Sequence, residues 1–407
     1  MLFSELGLHP DLERAVKSLG WEQPTPIQSQ AIPVALKGKD ILGCAQTGSG
    51  KTAAFVLPIL HHLLTLPGHG LRAFVIVPTR ELAAQVENCF KDCGKFIQIK
   101  TASVIGGVGY DRQRKFMAGG ASVVVATPGR LLDHLKNGRF KMDSIKYLVL
   151  DEADRMLDMG FLPDIRAIIS RLPRERQTML FSATLVKKVE EIAAFALKNP
   201  EKVEVSRPTE TAEGISQVVY PISQVQKTDL LTALLKATEM RSVLVFTRTK
   251  NRADRLKNRL ADQGFSVGIL HAGRTQGQRM NAMENFRTGR TQILVATDIA
   301  ARGIDVREIS HVINFDVPQN PEDYIHRVGR TGRAYGVGDA MTFCDREEEP
   351  LIAVIERFTG VVFPRAMLPT FSYAIKPNLE PPKPKTFSGI SFRRRPIARS
   401  RKALFRR

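Results

Sequence analysis

At 407 residues and 45.3 kDa the chain is long enough for two domains, each with its own core, and 43% hydrophobic residues is ordinary for a globular fold. A formal net charge of +19 suits a polyanionic partner, nucleic acid before any other. The four cysteines (Cys44, Cys89, Cys93, Cys344) lack metal-ligand spacing, and Cys89 and Cys93, four apart on a helical pattern, read as buried thiols. No signal peptide and no apolar run of about 18 residues is present, so no membrane span is expected and a reducing, cytoplasmic setting is.

In chain order, a strand is expected over Asp40 to Cys44, then the loop Ala45-Gln46-Thr47-Gly48-Ser49-Gly50-Lys51-Thr52, then a helix. A loop of this kind cradles phosphates with its backbone N–H groups at a helix N-terminus. Further short apolar strands follow at Ala73 to Val77, Ser122 to Ala126, Tyr147 to Leu150 and Thr178 to Phe181, separated by amphipathic helices such as that marked by Leu82, Ala83, Val86 and Phe90. This is a doubly wound α/β pattern with a parallel sheet, whose chemistry lies at the carboxyl ends of its strands. Thr47, Thr79, Thr127, Asp151 and Ser182 fall there.

Tyr147 to Leu150 ends in Asp151-Glu152-Ala153-Asp154. Carboxylates at the end of a buried strand are costly unless a cation is bound there. The phosphate loop supplies a reason for them. Lys51 would reach the terminal phosphates of ATP, Thr52 and Asp151 would hold Mg2+, and Glu152 would orient or deprotonate the attacking water.

The polar stretch 206–214 reads as a linker between domain one (1–205) and domain two (215–375). The second domain repeats the pattern, with strands expected at Ser242 to Phe246, Ser266 to Leu270, Gln292 to Ala296, His311 to Phe315 and Gly338 to Phe343. It holds no second phosphate loop, so one nucleotide per chain is expected. Residues 376–407 carry 11 Lys plus Arg against one acid, Glu380, with several prolines. They are expected to be disordered when free and to tether nucleic-acid backbone.

Taken together the motifs are Gly20 to Gln28, the phosphate loop, Pro78-Thr79-Arg80-Glu81-Leu82, Gly106-Gly107, Thr127-Pro128-Gly129-Arg130, the Asp-Glu-Ala-Asp tetrad, Ser182-Ala183-Thr184, Val245 to Thr249, Gln276 to Arg279, Ala296 to Asp305 and His326 to Arg333. In order and spacing this series closely resembles the DEAD-box RNA helicases of superfamily 2, from Phe3 to about Cys344. The pattern Thr275 to Arg279 and the compact basic tail look most like the bacterial RhlE-type branch.

The resemblance implies two tandem RecA-like domains and an RNA-stimulated ATPase that unwinds short duplexes or remodels ribonucleoprotein. It implies that Phe3 stacks on adenine, Gln28 reads its edge and Asp305 bonds the ribose, beside Thr47, Gly48, Ser49, Gly50, Lys51 and Thr52 on the phosphates. Arg330 and Arg333 resemble arginine fingers supplied by domain two. Asp154, Ser182, Thr184, His326 and Arg327 would couple nucleotide state to domain closure, the last two by bonding across the cleft. RNA contacts would come from Thr79, Arg80, Gly106, Gly107, Thr127, Gly129 and Arg130, and in domain two from Thr247, Arg248, Arg279, Thr297 and Gly303. Small residues and hydroxyls suit backbone and 2′-OH contacts, so binding without sequence preference is expected. Ribosomal or RNA-degradation complexes are the partners implied. His61, His62 and His69 have no motif context and are expected at the surface.

Deletion of residues 376–407 should weaken RNA binding and flatten its salt dependence, with modest effect on turnover at saturating RNA. Affinity measured across a salt series checks this; an unchanged slope would assign the tail no part in binding.

Overall fold

A computed structural model describes residues 1–45, 48–66, 68–137, 142–205, 215–298, 309–332, 338–375 and 378–379. The expected linker and all of the tail except Asn378 and Leu379 lie outside the described residues.

The chain opens with a short 3-10 turn (Phe3–Leu6) and two helices, α1 (Pro10–Ser18) and α2 (Pro26–Leu36). Strand and helix then alternate: β1 (Ile41–Cys44), α3 (Lys51–Thr65), β2 (Ala73–Ile76), α4 (Arg80–Cys93), β3 (Thr101–Val104), α5 (Tyr110–Ala118), β4 (Val123–Ala126), α6 (Pro128–Lys136) and β5 (Tyr147–Leu150). The domain closes with α7 (Ala153–Asp158), α8 (Leu162–Ile169), β6 (Gln177–Ser182), α9 (Lys187–Ala196) and β7 (Glu201–Glu204). Its seven strands run parallel in the order β3-β4-β2-β5-β6-β1-β7.

Side chains alternate between the two faces of this sheet, as the pleat requires. Ala73, Val75, Val123, Val125 and Val149 enter one core, against α2, α3 and α4; Phe74, Ile76, Val124, Leu148 and Leu150 enter the other, against α6, α8 and α9. Both faces are covered, so the central strands read as unbroken apolar runs.

The second domain comprises β8 (Ile215–Pro221), α10 (Lys227–Ala237), β9 (Val243–Phe246), α11 (Lys250–Asp262), β10 (Val267–Leu270), α12 (Gln276–Arg287), β11 (Ile293–Ala296), β12 (His311–Asn314), α13 (Pro321–Val328), β13 (Gly338–Cys344) and α14 (Glu349–Thr359). Its six strands are again parallel, ordered β10-β11-β9-β12-β13-β8.

Three strands had no counterpart among the expected elements: β3, β7 and β8. All three are edge strands. An edge is half solvated and tolerates charge, so the apolar signature is lost. In β7, Glu201, Lys202 and Glu204 are exposed and only Val203 is buried. The edge at β8 is covered by the chain that follows α14. Val219 N donates to Pro364 O at 2.9 Å and Ala366 N to Val219 O at 2.9 Å. The Arg365 side chain, 1% exposed, lies between Glu356 and Glu349. Farther along, Gln226 Nε2 donates to Ser372 O at 3.0 Å and Ala374 N donates to Gln226 Oε1 at 2.9 Å.

His62 departs from the surface position expected of it. α3 is enclosed on almost every side, and His62 is buried, stacked on Tyr147 with ring centroids 5.4 Å apart.

Arg365→Met would leave two acids facing one another beneath the strap, at a cost of about 3–5 kcal/mol. The expected result is a lower melting midpoint for the domain-two transition, whereas a cut after Ile375 should leave that midpoint unchanged.

Candidate nucleotide and RNA site

The phosphate loop leaves β1 and enters α3 at Gly50, whose φ of +94° is open to glycine and strained for other residues. A Cβ there would also lie 2.5 Å from Gln28 Nε2 and 2.8 Å from Thr25 Oγ1. Gln28 binds both sides of this close approach. Its Oε1 accepts from Thr25 N at 3.0 Å, completing a capping box on α2, and its Nε2 donates to Gly50 O at 3.1 Å. Each amide atom keeps one further hydrogen-bonding position, which a purine edge could use. Lys51 is buried at the first position of α3 and donates to Ala45 O at 2.7 Å. Gly48 adopts φ +88°, and Ser49 and Thr52 are half-buried beside it.

Phe3 does not present a free face for base stacking. It is 5% exposed, a member of the domain-one core, with its ring centroid 6.3 Å from that of Trp21. The short turn Phe3–Leu6 folds its apolar side chains inward. Trp21, half-buried alongside, is the more open ring.

At the end of β5, Asp151, Glu152 and Asp154 are all buried. Their environments differ. Burial raises the Asp151 carboxyl to about 7, with Lys51 opposing and Glu152 adding to the rise. Burial also acts on Glu152, yet the cations Arg155, Arg330 and Lys51 outweigh it and hold the group at about 2. Asp154 is tied to the end of β6: its Oδ2 accepts from Ala183 N and Thr184 N, both at 3.0 Å, and from Thr184 Oγ1 at 3.2 Å. Ser182 Oγ donates to Thr184 O at 2.7 Å and receives Asp154 N at 3.4 Å. The donor set at this strand end fits a hard divalent cation with ATP phosphates. Thr52 and Asp151 offer oxygen ligands, and a carboxyl held near neutrality is short of positive charge.

Domain two meets this cluster through α13 and the turn after it. Burial, with the charge of Arg155 and Arg330, lowers His326 to about 4 against the opposing pull of Asp154 and Glu152, so the imidazole is neutral at pH 7. Arg330 is buried, its Nε donating to His326 O at 3.2 Å. The two domains are therefore in contact over the carboxylates.

Arg327 does not bond across the cleft. It grips Asp298 through Nε at 2.6 Å and Nη2 at 2.8 Å, and donates to Asn314 Oδ1 at 3.0 Å and Asp316 O at 2.7 Å, all within domain two. At one turn from Arg330, it fixes α13 to the sheet.

The expected RNA surface divides into three parts. In domain one, Thr79 caps α4 by accepting from Leu82 N at 3.2 Å. The Arg80 guanidinium lies against Gly106 and Gly107, filling the space that a Cβ would need. Arg130 donates to Val108 O at 2.8 Å and stacks 4.2 Å above the Tyr110 ring, and Thr127 and Gly129 are half-buried at the start of α6. In domain two the picture departs from expectation. Thr247 is 0% exposed, its hydroxyl turned to Thr249 O at 3.4 Å. Arg248 is 40% exposed but anchored, its Nη2 donating to Glu348 Oε1 at 2.8 Å and its N to Asp316 Oδ2 at 2.8 Å. Thr297 is half-buried.

Between the domains, Arg279 pairs with Glu81 at 2.9 Å, and Gln276 Nε2 donates to the other Glu81 oxygen at 3.3 Å. Arg279 was expected on RNA; here it closes the cleft. Glu81, Arg155 and Asp298 are the site residues that sequence reasoning missed. Glu81 and Asp298 stand inside quoted motifs and Arg155 directly follows one; Glu81 and Arg155 are buried and Asp298 is half-buried. Thr47, Gly303, Asp305 and Arg333 lie outside the described residues.

A parallel-sheet pair with a phosphate loop in one domain and an arginine beside its carboxylates from the other defines a two-domain nucleotide hydrolase. Residues 25–192 match the DEAD/DEAH box helicase model, and residues 226–335 the helicase conserved C-terminal domain. The DEAD-box ATP-dependent RNA helicase CshA of Bacillus licheniformis is 42% identical over 374 residues, which is 92% of this chain and 77% of that protein. Among solved structures, Saccharomyces cerevisiae Dbp5 bound to RNA and ADP BeF3 is 32% identical. It covers 90% of this chain and 95% of its own, with a TM-score of 0.82. A DEAD box protein from Methanococcus jannaschii is 36% identical over 90% of this chain and 99% of its own, with a TM-score of 0.54. The chain belongs to the DEAD-box ATP-dependent RNA helicases, RNA-stimulated ATPases that couple ATP to RNA unwinding. Among the described residues no helix is long and apolar enough to cross a membrane.

Asp151 gives a pH dependence. Its folded pKa is raised to about 7, so the carboxylate is ionised at pH 8 and mostly protonated at pH 6, where cation binding must expel a proton. Mg2+-dependent ATP affinity should fall as pH drops through 7, by up to about tenfold per unit. Titration with a fluorescent nucleotide at pH 6 to 8 checks this: the slope should be steeper than that of Asp151→Asn.

Proposed function

We propose that unwinding is driven by closure of two lobes, at 1–205 and 215–375, each incomplete without the other. Boundaries at these points are supported by β7 ending at Glu204 and β8 starting at Ile215. The observation that carries the reading is the convergence of Arg330 and His326, from domain two, on Glu152 of domain one.

Lys51 and the N–H groups around Gly48 to Gly50 take the phosphates; Gln28 takes the adenine edge. Thr52 and Asp151 would hold Mg2+, which would supply charge to polarise the terminal phosphate of ATP. Glu152 orients the attacking water and accepts its proton; anionic phosphates beside it raise its basicity above that of the ligand-free site. Arg330 offers a guanidinium fork to the developing charge. Asp154, through Ser182 and Thr184, links this strand end to the neighbouring one. Farther along the same rim, after β2, β3 and β4, Arg80, Gly106, Gly107 and Arg130 grip one RNA strand by its backbone. Closure bends that strand out of A-form geometry and releases its partner.

Cytoplasmic location, a role in ribosomal or RNA-degradation complexes and tethering by residues 376–407 belong to the same proposal. A place in the RhlE-type branch is supported by Thr275 to Arg279 and the basic tail alone, while the curated relative carries the CshA name.

Glu152→Gln should nearly abolish RNA-stimulated ATPase while ATP and RNA still bind, and Lys51→Ala should weaken nucleotide binding itself. Arg330→Ala should lower kcat by about 10²–10³ with ATP affinity kept. Displacement of a short blunt duplex is the decisive assay: ATPase without displacement would make the chain a nucleotide-gated clamp instead.

A further inference from the structure

We propose that Arg155 is a positioning residue for Glu152, holding the side chain of the water-orienting acid in place within domain one whether or not domain two is docked. The inference rests on the reading of Glu152 given above. Glu152 is the N-cap of α7 and Arg155 is the third residue of that helix. The Arg155 Nη1 reaches back one turn and donates to Glu152 Oε2, with both side chains almost fully enclosed, 5% and 7% exposed.

The backbone is arranged around this contact. Glu152 adopts φ 52° and ψ 52°, a left-handed conformation rare for a residue with a side chain. Glu152 O accepts from Arg155 N at 3.1 Å, and the same N–H reaches Asp154 Oδ1 at 2.9 Å. Strain of this sort persists only where the surroundings over-determine it.

Electrostatics give the contact a purpose. Among the cations around Glu152, Arg155 is foremost, ahead of Arg330 and Lys51. Arg330 and His326 depart when the domains separate. Arg155 shares a helix with Glu152 and stays. With domain two withdrawn, the contact with Arg155 would keep the Glu152 side chain in its orientation between Asp151 and Asp154. Arg155 also faces His326, where burial and this positive charge keep the imidazole neutral. The histidine therefore arrives as a hydrogen-bonding group and not as a rival cation. Arg155 lies outside the Asp-Glu-Ala-Asp tetrad.

The test compares RNA-stimulated ATPase of the full chain with Arg155→Ala, Arg155→Lys, Glu152→Gln and the double variant Glu152→Gln/Arg155→Ala. Arg155→Ala should lower kcat by about 10- to 100-fold, the cost of a misplaced catalytic group, with KM for ATP and RNA within about twofold. Arg155→Lys should recover part of the loss. In the Glu152→Gln background, Arg155→Ala should reduce turnover no further, and RNA clamped in the presence of AMP-PNP should be held as tightly as by Glu152→Gln alone. Near-normal kcat in Arg155→Ala, no recovery with lysine, a further loss of turnover in the double variant, or loss of clamping there would each overturn the proposal. Normal turnover by Glu152→Gln would instead remove the underlying reading of Glu152, a result distinguishable from all of these.

Discussion

Everything in the molecule turns on the cost of keeping negative charge inside a protein. Three carboxylates end β5 within four residues, each nearly sealed from solvent. No single partner neutralises them. Asp154 is satisfied by N–H groups from the end of β6, Glu152 by arginines from both domains, and Asp151 is left close to neutrality with Lys51 beside it. A parallel sheet permits this because its strand ends collect loops from several crossovers at one rim. The unsatisfied remainder is what makes the site receptive to a cation and what draws the second domain in.

A second acid does comparable work farther along the same rim, just after β2. Glu81 takes Arg279 and Gln276 from α12 while the adjacent Arg80 lies against Gly106 and Gly107. The cleft is thus pinned at two places, one over the phosphate loop and one beside the nucleic-acid rim. Burial of Arg80, with Arg279 and Arg130 adding to the effect and Glu81 opposing it, lowers its pKa.

Much of this was readable from sequence where a residue's function is a matter of backbone position. The phosphate loop, the strand-end acids and the central strands were legible because glycine, buried aliphatic runs and paired carboxylates have few alternative explanations. What escaped was decided by tertiary contact. Edge strands such as β7 carry no apolar run, since only one of their sides meets the core. Phe3 and Thr247 have the right chemistry for ligand contact, but neighbours cover them. Arg327 and Arg279 are cations near motifs, and sequence cannot say whether a carboxylate in the same domain, one across the cleft or a phosphate will claim them. Arg155 was invisible for the same reason: its partner is identified only once the left-handed turn at Glu152 brings one helical turn back on itself.

The strap along β8 carries a last implication. Its end at Ser372 to Ala374 is moored to Gln226, just past the carboxyl terminus of β8, on the rim of the sheet where Arg248 and Thr297 also lie. The described chain that follows α14 therefore ends, at Ile375, beside the carboxyl ends of the domain-two strands and not at the back of that domain.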